Sequence, residues 1–201
     1  MTWEQAWTEG RTPWDAGEPA PALTDLLAAP ERPRGRRVLV PGCGSGYDVF
    51  AFGEAGYEAV GLEVAPSAAE RFRAARRERG LDEARARIVV EDFFGFEPDR
   101  PFDVIWDYTF LCALDPDLRP AWAEKIDRLL APGGELVTLI FPVVERSPGG
   151  ESGPPYALRP EHLLRLLQPR YRAEHLAPVA RSHPGREGME WLGRWRRRSG
   201  G

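Results

Sequence analysis

Hydrophobic and polar positions change period repeatedly along this chain. Residues 1–35 keep no period: Trp, Pro and Gly recur irregularly, with one short helical stretch over 23–28. From residue 36 the pattern settles. RRVLVP (36–41) is an apolar run ended by proline, as in a strand buried on both faces. Residues 45–55 read as a helix and YEAVGLEV (57–64) as a second strand. Residues 66–80 form a helix that Gly80 closes, and Ser67 with Glu70 three residues on predicts a capping box at its start. ARIVVEDFF (86–94) and FDVIWDY (102–108) are the third and fourth strands. The next helix carries Trp122, Ile126, Leu129 and Leu130 on one face and ends at APGG (131–134). ELVTLIFP (135–142) is a fifth strand, followed by a Gly/Pro-rich loop over 147–156, a helix over 161–167 and a weaker β-like tail. Such alternation predicts an α/β fold with a parallel sheet covered on both faces. No internal repeat is present.

Composition narrows the class. With 201 residues, 42% of them hydrophobic, the chain suffices for one α/β domain. A net charge of −4 argues against a broad nucleic-acid-binding surface. Lys125 is the only lysine, which we read as coding bias. Two cysteines, Cys43 and Cys112, fit a reduced interior. No signal-peptide core or membrane-length apolar run is seen, so a cytoplasmic protein is expected.

The candidate chemistry lies in VLVPGCGSGYD (38–48), where Gly42, Gly44 and Gly46 follow the first strand. Glycines there let the backbone turn sharply and approach a ligand, and the helix that follows offers free N–H groups. The spacing is G-x-G-x-G, not the G-x-G-x-x-G of dinucleotide sites. Glu63 ends the second strand, placed to accept hydrogen bonds from two ribose hydroxyls. Asp92 can receive the amine of adenine while Phe93 packs on its face. Each residue alone reads as a turn, a solvated strand end or a core aromatic. In this order they describe an adenosine with a short anionic-ended tail, which S-adenosyl-L-methionine matches better than NAD. Cys43, lodged between glycines, reads as a packing residue.

Longer blocks sharpen this. WEQAWTEGRTPWDAGEPAPAL, VLVPGCGSGYDV, VGLEV, EDFF, FDVIWDYTFLCALDPDLRPAWA, LLAPGGELVTLIFP, GGESGPPY and LGRW run the length of the chain. In them the sequence resembles the S-adenosylmethionine-dependent thiol/halide methyltransferases of the thiopurine methyltransferase-like group. The resemblance implies a Rossmann-like class I methyltransferase: three αβα layers around a seven-stranded, mostly parallel sheet with a final antiparallel strand. It implies one methyltransferase domain over 1–201, comprising an N-terminal arm or lid (1–35), a cofactor-binding core (36–142) and a C-terminal substrate side (143–201). By position, Trp3, Trp7 and Trp14 match tryptophans that close over the cofactor. Gly42 and Glu63 match the methionine and ribose positions, Asp92 and Phe93 the adenine pair, and Tyr108 the residue beside the methyl group. A sulfonium is attracted to aromatic faces, so the tryptophans suit that role, though they also suit stapling the arm down. Two departures stand out. The fourth-strand segment DYTFLCAL lacks the arginine of thiopurine-type members, favouring a small acceptor, and Glu63 replaces the usual Asp.

Methyl transfer from a sulfonium is an in-line displacement that needs a nucleophile about 3–3.5 Å from the methyl carbon and water kept out. Halides, thiocyanate, bisulfide and small thiols suit it. Tyr108 and Trp14 are the candidate catalytic residues. Asp107 either holds the methionine ammonium or caps a turn; Phe110 and Cys112 shape the pocket wall, and LCALDP (111–116) joins the arm as a lid. His162, His175 and His183 show no metal or triad spacing and are expected in scattered surface or structural places, so no metal is expected. No nucleic-acid or membrane partner is expected, and the chain reads as a monomer with S-adenosyl-L-homocysteine as co-product. The alternatives are a thiopurine-type aryl thiol methyltransferase, a nucleic-acid methyltransferase suggested by GPPY (153–156) and RWRRR (194–198), a non-catalytic nucleoside-binding module, and an NAD(P) reductase.

Overall fold

The computed structural model describes residues 2–144 and 153–198. Strand β1 (Arg37–Pro41) is buried throughout, as its apolar run requires. Parallel neighbours flank it, β2 (Glu58–Glu63) on one side and β4 (Phe102–Tyr108) on the other. β3 (Ala86–Val90) extends the first flank. β5 (Leu130–Ile140) extends the second, followed by β7 (Trp191–Arg197), antiparallel to it, and then β6 (Tyr171–Pro178). The order β3-β2-β1-β4-β5-β7-β6 gives seven strands with one reversed, as the resemblance implies.

The period-two alternation of the inner strands sorts their side chains between two cores. Leu39, Val60 and Ile105 enter one with Trp122 of α5 (Arg119–Leu129) and Leu163 of α6 (Pro160–Leu167). Val38, Val40, Val104 and Trp106 enter the other with Phe50 and Phe52 of α3 (Tyr47–Glu54), Phe72 of α4 (Pro66–Glu78) and Leu23 of α2 (Pro21–Ala28). Helices thus cover both faces. Among the described residues no helix is long and apolar enough to cross a membrane.

Local expectations are corrected at two points. Ser67 and Glu70 form no capping box: α4 begins after Ala65 without a side-chain cap of its own. The Ser67 N–H and hydroxyl instead donate to Glu4 of the first helix, α1 (Trp3–Thr8). Leu130 belongs to β5, not to the helix before it, and the APGG turn lies within that strand as a register shift against β4. Of the Gly/Pro-rich loop, residues 147–152 lie outside the described residues, whereas residues 153–156 are described.

For Asp107, left with two roles by the sequence, the alternation of β4 sets the side it faces. Asp107 lies on the α5 side, Tyr108 on the other. Its Oδ2 accepts the Trp122 indole N–H at 2.9 Å and its Oδ1 the Leu111 N–H at 3.0 Å. With 3% exposure the carboxylate holds the turn after β4, the second of its two sequence-level roles.

Two outcomes follow from this packing. Gly46 caps α3 at φ +90°, and a Cβ there would lie 2.1 Å from the Phe72 ring, whereas Gly10, at φ +67°, meets nothing within 4 Å. Gly46→Ala is expected to cost about 2–5 kcal/mol in urea unfolding and Gly10→Ala about 1–2 kcal/mol; equal losses would remove the packing argument. Burial lifts the Asp107 carboxyl from 3.8 to about 6, against its two hydrogen bonds. Between about pH 4 and 6 the folded protein then holds a proton the unfolded chain has released, so stability falls as pH rises through that window. From about pH 4 to pH 7 the native protein should lose roughly 2–3 kcal/mol more than Asp107→Asn, which carries no titrating group there. Parallel pH profiles would contradict this.

Candidate active site

The strand order reverses between β1 and β4, and their carboxyl ends open the crevice where ligands bind in such sheets. The loop after β1 turns through Gly42, Gly44 and Gly46, all left-handed, at φ 59°, 53° and 90°. Each missing Cβ makes room for an aromatic ring. A Cβ on Gly42 would lie 2.6 Å from Phe110, and one on Gly44 3.0 Å from Trp7; Gly46 serves the helix packing already described. Phe110 reaches the loop because Thr109 turns the chain at φ 61°, costly for a β-branched residue.

Glu63 joins this loop to the start of α4. Its Oε2 accepts the Gly44 N–H at 2.9 Å, and its Oε1 accepts those of Val64 and Ala65 at 2.8 and 3.0 Å. Burial raises its pKa while these N–H bonds oppose the rise, and no Lys or Arg pairs with it among the described residues. Such a carboxylate keeps lone pairs for neutral hydroxyl donors, which fits the ribose of an adenosyl group. Just beyond β3, Asp92 is exposed and its Oδ1 holds a turn through the Phe94 and Gly95 N–H groups. Phe93 is buried 4.9 Å from the Phe110 ring, closer to a core residue than to an open platform. Two apolar residues absent from the sequence reading, Val64 and Val90, stay 48% and 40% exposed at the ends of β2 and β3, where a purine face would cover them.

The arm folds over this edge. Trp7 is buried against Ala65 and Ala68, with the Arg71 guanidinium 5.3 Å from its ring. Trp14 lies edge-on to Trp3 at 5.2 Å and to Trp7 at 6.1 Å. The Ser45 hydroxyl donates to Asp15 at 2.8 Å, and the Ala20 N–H to Asp48 Oδ1 at 2.8 Å. Trp7 thus staples the arm to α4, while the Trp14 carbonyl faces the gap toward β4, where it accepts from Arg186.

Across that gap lies a buried polar network with no signal in sequence spacing. The Tyr108 hydroxyl donates to Glu190 Oε1 at 2.5 Å and accepts from Arg186. Arg186 also donates to the Trp14 carbonyl at 2.7 Å, and its guanidinium lies 4.9 Å from the Phe141 ring. His183, expected in a scattered place, stacks on Tyr108 with centroids 6.4 Å apart. Burial and Glu190 push the Tyr108 pKa up, so its hydroxyl stays protonated. Burial likewise pushes Cys112 up to about 12 and Cys43 well up, which suits wall and packing residues. Arg186 and Glu190 sit 78 and 82 residues from Tyr108, in the polar HPGREGME connection before β7. The nearest hint was LGRW, the block that follows them. Among the described residues no three His, Cys, Asp or Glu side chains gather to hold a metal.

A model of the thiopurine S-methyltransferase (TPMT) family matches residues 1–195. Probable thiol methyltransferase 2 of Arabidopsis thaliana is 42% identical over 199 residues, covering 98% of this chain and 85% of the relative. Thiocyanate methyltransferase 1 of Brassica oleracea is 39% identical over 197 residues, covering 97% and 84%. Among solved structures, the glycopeptide N-methyltransferase MtfA complexed with (S)-adenosyl-L-methionine matches with a TM-score of 0.71 over 89% of this chain and 94% of that one, at 18% identity, a likeness of fold. The sheet is that of a class I S-adenosylmethionine-dependent methyltransferase, and the chain belongs to the thiopurine S-methyltransferase family.

Proposed function

We propose that this protein transfers the methyl group of S-adenosyl-L-methionine to small sulfur nucleophiles and related anions: thiocyanate, bisulfide, small thiols and halides. The observation that carries this reading is Arg186, a guanidinium held by Tyr108 and the Trp14 carbonyl, 4.9 Å from the Phe141 ring. A permanent cation there attracts an anion; at 4 Å and an effective dielectric of about 20 the attraction is roughly 4 kcal/mol. Relatives named as thiol and thiocyanate methyltransferases support the same class of acceptor.

The donor, when bound, supplies an activated methyl on a neutral leaving group, so the protein's task is placement. Glu63 takes the ribose hydroxyls, the glycine loop lies along the methionine portion, and Val64 and Val90 flank the adenine, with Asp92 and Phe93 at the same edge. Tyr108 and Trp14 line the path of the nucleophile, with Phe141 excluding water beside them. Tyr108 and Phe141 stand with centroids 6.4 Å apart, leaving no slot for an aryl group between them. That disfavours the thiopurine-type alternative. A cytoplasmic, reducing setting suits the two free thiols.

Purified protein with the donor and thiocyanate, iodide or bisulfide should release methyl thiocyanate, methyl iodide or methanethiol into headspace; binding of the donor without volatile product would leave a nucleoside-binding module. Glu63→Ala should raise the dissociation constant for S-adenosylhomocysteine by about 10–100-fold with folding intact, the scale of lost hydrogen bonds to a charged group. Arg186→Met should raise KM for thiocyanate by about 10–100-fold and shift S-adenosylhomocysteine affinity far less. An unchanged KM would sink the anion-binding reading.

A further inference from the structure

Glu190 is the group this mechanism leaves unused. It is 1% exposed, one oxygen receives the Tyr108 hydroxyl, and the other, Oε2, is buried with no hydrogen-bond partner. A buried carboxylate left half-satisfied is costly, and its cost asks for a purpose. The charged and titratable groups around it come from several elements. Tyr108 projects from β4, and Arg186 and His183 from the connection before β7. Asp48 of α3 feels Glu190 as a like charge and His183 as an opposing one. His183 Nδ1 lies 3.6 Å from Glu18, beyond hydrogen-bond reach, and is itself buried without a partner. No cation touches Glu190 directly among the described residues: Arg186 donates to Tyr108 and to the Trp14 carbonyl instead.

Resting on the function proposed above, we infer that Glu190 accepts, through the Tyr108 hydroxyl, the proton of a neutral thiol. As the S–H bond breaks, its proton passes to Tyr108 Oη while the Tyr108 proton passes to Glu190 Oε1. Tyr108 ends neutral, Glu190 ends as the carboxylic acid, and the electron pair of the broken bond stays on sulfur as a thiolate facing Arg186. Glu190 returns its proton to solvent before the next turnover. Thiocyanate and halides carry no proton to give up and bypass the relay. Glu190 is therefore a positioning residue that widens the acceptor range from ready-made anions to thiols still protonated at neutral pH.

The test compares 2-mercaptoethanol with thiocyanate in the wild type and Glu190→Gln. In the variant the ratio of kcat/KM for the thiol to that for thiocyanate should fall at least 30-fold near pH 7 and recover as pH approaches the thiol's own pKa. Glu190→Asp should restore part of the ratio. Calorimetry of 2-mercaptoethanol binding to enzyme saturated with S-adenosylhomocysteine, in two buffers of different ionisation enthalpy, reads the proton without turnover. The wild type should release close to none and Glu190→Gln close to one. Equal loss for thiol and thiocyanate, release of a whole proton by the wild type, or equal release by both proteins would overturn the assignment. Wild-type inactivity with both acceptors would instead count against the function, while the calorimetry still decides the relay.

Discussion

One guanidinium constrains three distant parts of this chain. Arg186 cannot shed its charge, so it must find acceptors, and the acceptors it has are the Tyr108 oxygen and the Trp14 carbonyl. These lie 78 and 172 residues away, in the fourth strand and the N-terminal arm. The connection before β7, the fourth strand and the N-terminal arm are thereby one unit. An arm that lifts away deprives a half-buried cation of a carbonyl, and closing it restores the contact.

The remaining carboxylates show how the fold handles charge it needs but does not neutralise. Glu63 and Asp107 are buried and Asp48 is partly buried, and desolvation raises the pKa of all three. Each is held by N–H groups rather than by cations: backbone amides for Glu63, an indole and an amide for Asp48 and for Asp107. Dipoles stabilise a carboxylate without saturating it. Glu135, by contrast, is 1% exposed between Arg194 and Arg196, and Arg196 pairs in turn with Glu174, an ion network across the antiparallel strands.

Much of this was legible because strand and helix periods are written in apolar residues. Leu39 against Val38 and Val40, and Ile105 against Val104 and Trp106, already state which side of the sheet each faces. The last two strands were faint because they carry Arg172, Glu174, Arg194, Arg196 and Arg197 on exposed or paired positions, which erases alternation. The capping box failed because a local signal cannot see a competitor: Glu4 arrives from 63 residues away and takes the Ser67 donors. Asp107 and Tyr108 were read together as pocket residues, yet neighbours on a strand point to opposite faces. Arg186 and Glu190 escaped altogether and His183 was expected only in a surface or structural place, since only the tertiary fold brings that polar connection to Tyr108.

On the reading proposed above, the space beside Arg186, Tyr108 and Trp14 receives the anionic nucleophile. Crystals grown with S-adenosylhomocysteine and soaked in iodide offer the most direct reading, because iodide scatters anomalously and marks its own position. The account requires an anomalous peak in contact with the Arg186 guanidinium and the Tyr108 ring, beneath Trp14. Iodide found only at surface arginines, with that space filled by protein or water, would contradict it.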